Sequence, residues 1–170
     1  MKSTTASPAP RAQHLTFTVS GEGYALDVLR VREVVEVMPI TRVPSLPATV
    51  RGVVNLRGAV VPVVDLGVRL GGAALALTKR SCIVFVEVDR AGEPMVLGLL
   101  VDAVDQVVEL GPEDIEPVPP FGTRAGPDVV DGMAVLGDTF VLVLDPRRVA
   151  GHDLVGGPDS RHARADGGAS

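Results

Sequence analysis

The side chains best suited to chemistry are few in this 170-residue chain, and their spacing keeps them apart. Its three histidines, His14, His152 and His162, fall in or beside the two polar ends, so none is set as a general base or within a group of metal ligands. Cys82 is the single cysteine; inside the apolar run SCIVFVEV, with no histidine near it in sequence, it reads as a small buried thiol. The stretch GEGYAL supplies two glycines of a dinucleotide-binding G-x-G-x-x-G and lacks the third, so it reads as a hairpin turn. Neither G-x-x-x-x-G-K-[ST] nor G-x-S-x-G occurs. Glu109, Glu113, Asp114 and Glu116 read as a solvated loop face. No catalytic residue, metal site or cofactor is expected, and an enzyme working in a cleft is the remotest of the function classes.

Two other side chains suit the holding of a partner. Arg57 interrupts the aliphatic stretch GVVNLRGAVVPVVDL at residues 52–66, between Asn55-Leu56 and Gly58. It is either a solvated turn residue or a fork-shaped donor offered to a partner's carboxylate or carbonyl groups. Phe121 lies in the Pro/Gly-rich loop EPVPPFGTRAGPD, and is either packed on its own domain or an aromatic anchor at an interface.

The elements that carry these residues are strands. The chain has 31 valines but only four Phe, one Tyr and no Trp. Valine's branched β-carbon favours a pleated surface over a helix. LTFTV and YALDV read as a hairpin, followed by VVEVMPI, VRGVVNL and AVVPVVD, with a helical turn allowed at 28–34 and another at 46–50. The run Val60 to Val64 is apolar on both faces, so one face fills its own unit and the other must be covered; Pro62 marks an edge or bulge. At this length folding removes about 70% of the unfolded chain's surface, so no staple is needed.

The chain also repeats itself. VRGVVNLRGAVVPVVDL at 50–66 matches VDGMAVLGDTFVLVLDP at 130–146 with a constant offset of 80, pairing Gly52 with Gly132, Val63 with Val143 and Asp65 with Asp145. YALDVLRVREVVEV at 24–37 matches LGLLVDAVDQVVEL at 97–110, and Ile40-x-x-Val43-Pro44 matches Ile115-x-x-Val118-Pro119. Three blocks in one order predict a duplication, with unit one at about 14–70 and unit two at about 80–150. The fold class expected is all-β: two small five-stranded SH3/OB-like β-barrels packed through a shared inter-barrel core, giving three cores, with short helical turns. Residues 1–13 and 151–170 read as disordered tails. In the second copy Gly137-Asp138 stands where the first has Arg57-Gly58, so the turn itself has no need of arginine.

A formal net charge of −5 and few aromatic residues count against a nucleic-acid-binding small barrel, the alternative binding module. No apolar run approaches the ~18 residues that span a bilayer, and MKSTTASPAPRAQH is no signal peptide, so a cytoplasmic protein without direct membrane insertion is expected.

The strings Y-x-x-D-V-x-x-V-x-E-V-V (24–35), V-P-x-x-P-x-x-V-x-G-V-x-N-L-R-G-x-V-x-P-V-V-D-L (43–66) and G-L-x-V-D-x-V (98–104) closely resemble the CheW family of bacterial chemotaxis coupling proteins. The likeness covers about residues 14–150. It implies two intertwined barrels and a non-catalytic adaptor, placed at the inner face of the membrane through receptor arrays. That adaptor joins the cytoplasmic tip of a methyl-accepting chemoreceptor to the regulatory domain of the histidine kinase CheA. By position, the resemblance implies a receptor-binding groove of Val31, Glu33, Gly52, Arg57, Cys82, Gly98, Val104 and Val107. Asn55 and Gly58 would shape the turn under Arg57, and Phe121 would serve a kinase or ring contact. A helical receptor tip laid in such a groove needs an aliphatic floor and a few charges to set its register.

Overall fold

A computed structural model describes residues 11–118 and 128–155, with side chains through 151. Eleven strands run in chain order: β1 (Ala12–Val19), β2 (Glu22–Asp27), β3 (Val31–Glu36), β4 (Val50–Leu56), β5 (Ala59–Asp65), β6 (Cys82–Arg90), β7 (Glu93–Val101), β8 (Ala103–Leu110), β9 (Ile115–Glu116), β10 (Val130–Leu136) and β11 (Thr139–Leu144). Helix α1 (Leu66–Arg69) and helix α2 (Pro146–Val155), broken at Gly151, each follow a hairpin. Regular structure therefore extends beyond 14–150 at both ends. His14 lies within β1 and is buried, not solvated as its place near the tail suggested. The turn allowed at 28–34 is a single 3-10 turn, Val28–Arg30; Pro47 and Val50 close a turn through one hydrogen bond and no helix. No helix among the described residues is long and apolar enough to cross a membrane.

The strands form a six-stranded sheet, β9-β10-β11-β2-β1-β8, and a five-stranded sheet, β3-β6-β7-β5-β4. These sheets do not coincide with the two expected sequence units. The hairpin β1–β2 of the first unit joins strands of the second, through parallel pairing of Val143 with Ala25. The hairpin β6–β7 of the second joins strands of the first, through parallel pairing of Val63 with Gly98. Neither sheet closes into a barrel through a continuous ladder, which corrects the expected five-stranded barrels. In each, the chain leaving one edge strand turns and touches the opposite edge instead. After β3, Thr41 and Val53 exchange two backbone hydrogen bonds of 2.8 Å. After β8, β9 lies along β10, with Glu116 opposite Met133.

Two clusters of buried side chains replace the three expected. The large one joins Phe17, Tyr24 and Leu26 of the six-stranded sheet to Val63, Phe85 and Leu99 of the other, so the inter-sheet core and the interior of the five-stranded sheet are one. The small one, Ala25, Leu110, Ala134, Val141 and Val143, fills the curl of the six-stranded sheet. Each fully buried Leu, Val or Phe contributes about 1.5–3 kcal/mol through removal from water, which makes this continuous core the main stabilising element. Pro62 lies on an inner strand, not an edge, but just before the parallel ladder begins at Val63, where no second neighbour asks for its missing N–H.

Candidate functional site

Two-residue turns build the exposed tips of the hairpins. At Arg57-Gly58 both residues have positive φ, 53° and 89°, the type I′ geometry that matches the twist of the flanking strands. Asn55 Oδ1 accepts the Gly58 N–H at 2.8 Å and fixes the turn. Ser20-Gly21 and Ala91-Gly92 share this geometry, so serine and alanine serve where the arginine stands. Gly137 has φ 60° and Asp138 is not left-handed, so the tip at the repeat-related position is a different turn. A left-handed backbone disfavours any residue with a Cβ, and Asn or Gly is the ordinary choice. Arg57 is therefore held at a position that works against it.

Its guanidinium, 73% exposed, donates from an Nη to the Glu33 carboxylate. That hydrogen bond, followed by the charge of Glu33, holds the arginine above its ordinary value. Glu33 lies on β3, where the ladder with β6 slips between Val31 and Glu33. Val31 is half-buried against the large core. Val104 and Val107 lie on β8, the edge of the other sheet, with Val104 packed on the core and Val107 half in solvent.

Cys82 touches both edge strands. It is the ladder partner of Glu36 at the end of β3, and the backbone of Val104 on β8 faces its thiol. Its thiol donates to the Arg80 carbonyl at 3.5 Å. Burial and then the Glu36 carboxylate push the thiol up, while Val104 acts in the opposite direction. The sequence-based groove residues thus fall into an exposed charged pair at a hairpin tip, a seam at Cys82 and Val104, and aliphatic positions on the two edge strands.

Gly52 and Gly98 do not lie open. Both are buried, and the close approach each permits is to this chain's own atoms: a Cβ at Gly52 would stand 2.3 Å from the Thr41 carbonyl oxygen, and one at Gly98 would stand 2.7 Å from Ile83. They shape the sheet beneath the surface. Phe121 lies outside the described residues.

One group has no counterpart in the sequence reading. The buried Asp65 carboxylate accepts from Arg51 at 2.8 Å, from the Leu75 N–H at 3.1 Å and from the Val68 N–H at 3.3 Å, and Arg51 also donates to the Leu75 carbonyl. It caps α1 and ties the loop after that helix to the hairpin carrying Arg57. The one signal was the match of Asp65 with Asp145, which caps the start of α2 in the same way.

Two curled sheets packed through a large shared core, with open edge strands and a charged pair on a hairpin tip, are the build of a protein-interaction module. The chain belongs to the CheW-like domain family, whose model matches residues 13–153. It is 40% identical over 142 residues to the chemotaxis protein CheW of Rhizobium meliloti (strain 1021), covering 79% of this chain and 89% of that protein. To the chemotaxis protein CheW of Klebsiella aerogenes it is 29% identical over 133 residues, 78% of each chain. The crystal structure of the scaffolding protein TtCheW from Thermoanaerobacter tengcongensis superposes with a TM-score of 0.71 at 34% identity, covering 80% of this chain and 90% of that one. The family is one of chemotaxis scaffolds and adaptors.

Proposed function

We propose that this chain is a non-catalytic adaptor joining the cytoplasmic tip of a chemoreceptor to the regulatory domain of the histidine kinase CheA, at the inner face of the membrane. The observation that carries the reading is Arg57: a long cation kept on a left-handed turn and aimed along the surface by Glu33. Folding has no use for it, since the neighbouring turns manage with Ser20 and Ala91. A preset guanidinium beside exposed aliphatic positions suits recognition of a helical hairpin that carries carboxylates. Receptor contact is assigned to Arg57, Glu33, Val31, Val104 and Val107, with Cys82 as a small wall, while Gly52 and Gly98 support the surface from below. Phe121 is assigned to the kinase or ring contact. The repeated bulges and strand orders of the two sheets support an origin by internal duplication, with hairpins exchanged between the halves.

The test is co-purification of the full chain with a purified receptor cytoplasmic fragment and with the kinase. Arg57→Gly is expected to keep the fold by circular dichroism and to lose receptor binding. Retention of both partners at parental affinity would overturn the role given to this side chain.

A further inference from the structure

The six-stranded sheet carries an apolar face past the end of its cover. Met133 is the ladder partner of Leu142, and Val135 of Phe140, so these four share one face with Leu144. Along that face Leu144 and Leu142 are 2% and 8% exposed in the inter-sheet core, whereas Phe140 is 60% and Val135 53% exposed. Beside Phe140 opens a cavity of about 1010 Å3, lined in part by Met133, Leu136 and Val141 and edged by Glu22 and Asp105. Among the described residues its lining contains no lysine or arginine. Glu22 accepts from the Tyr24 hydroxyl and Asp105 from the Thr18 hydroxyl, both neutral donors, and among the described residues no cation forms a salt bridge with either carboxylate.

An exposed aromatic continuous with a buried core, beside a groove with an acidic rim, states the chemistry of its occupant. A second copy of this chain would bring the same carboxylates against these and is disfavoured by like charge. We propose that the groove is a further docking surface, separate from the Arg57–Glu33 tip, for a basic amphipathic segment of a partner protein. Such a segment sets an apolar side chain beside Phe140 and lysines or arginines against Glu22 and Asp105. This goes beyond the adaptor function above, since it needs neither receptor nor kinase.

The probe is a fluorescently labelled Lys/Leu amphipathic peptide, with a Glu/Leu peptide of the same pattern as its counterpart, titrated into the full chain and followed by anisotropy. The Lys/Leu peptide is expected to bind and the Glu/Leu peptide not to. Phe140→Ala, at a surface position and with the net charge unchanged, weakens binding by about tenfold or more, as for an interface anchor. Glu22→Gln with Asp105→Asn keeps both accepted hydrogen bonds, removes the charges and makes binding less sensitive to salt. Arg57→Gly leaves peptide binding unchanged. Binding insensitive to Phe140→Ala is general attraction to an acidic protein and overturns the proposal. So does binding of both peptides alike, binding of neither, or loss of binding in Arg57→Gly.

Discussion

Glu33 and Arg57 belong to opposite edges of the same five-stranded sheet, and their side chains meet across the gap the ladder leaves open. Strand β3 and the hairpin β4–β5 are brought together by the curl of the sheet and by the Thr41–Val53 bridge, not by pairing with each other. The contact is therefore a product of the closure.

Removing the arginine relieves its backbone. Arg57→Gly loses an exposed ion pair of small worth and gains a residue suited to φ 53°. Its melting temperature is expected to equal or exceed that of the parent, while Arg57→Ala, equally disfavoured on a left-handed turn, stays at or slightly below it. A clear drop for Arg57→Gly in thermal denaturation would show that the guanidinium is part of the packing.

Closure also rests on two glycines at matching places in the repeat. A Cβ at Gly52 would meet the Thr41 oxygen at 2.3 Å, and one at Gly132 would meet Ile115 at 2.5 Å and the Glu116 oxygen at 2.9 Å. Backbone atoms cannot swing aside, so Gly52→Ala and Gly132→Ala should each cost about 2–3 kcal/mol by urea denaturation. Gly92→Ala, at φ 87° in open space, should cost only about 1 kcal/mol through its backbone. Equal losses at all three would mean that the close approach does not matter.

These glycines also show what the sequence could reveal. Gly52 and Gly132 stand at the same offset as Val63 and Val143, and each marks a bulge, after Val50 and Val130 respectively. Strand positions and hairpin tips were legible because each depends on neighbours along the chain. The exchange of hairpins was not, because Val143 beside Ala25 joins residues far apart in sequence, and alternation of apolar residues carries no address for such a partner. Arg57 was legible as surplus to its turn, but not as paired with Glu33, since that contact follows from the curl. His14 misled because polar neighbours in sequence do not report that β1 lies between two strands.

The Asp65 carboxylate accepts three hydrogen bonds from its own chain, from Arg51, Leu75 and Val68, in one buried knot. Arg51→Met leaves that carboxylate with its two backbone donors but without its cation. A loss of about 2–3 kcal/mol is expected, less than for a fully buried pair because Arg51 is partly in solvent. Asp65→Ala strips Arg51, Val68 and Leu75 together and should cost more, about 3–5 kcal/mol. The double variant should lose no more than Asp65→Ala alone. Additive losses in a double-mutant cycle would mean that the two side chains act independently.

Cys82 gives the seam a signature that pH can read. Burial first and Glu36 second raise its thiol above the ordinary value in the folded chain, so the unfolded chain releases that proton earlier. The stabilising contribution is fully present below the unfolded value and falls away as pH climbs through the higher folded one. Alkylation by iodoacetamide should therefore reach half its limiting rate at a higher pH in the native chain than in urea. Glu36→Gln should move that midpoint down without reaching the unfolded value, because burial is the larger cause. In Cys82→Ala the alkaline loss of stability should be shallower than in the parent. A native midpoint at or below that of the unfolded chain would mean that neither burial nor Glu36 acts on the thiol in the folded chain.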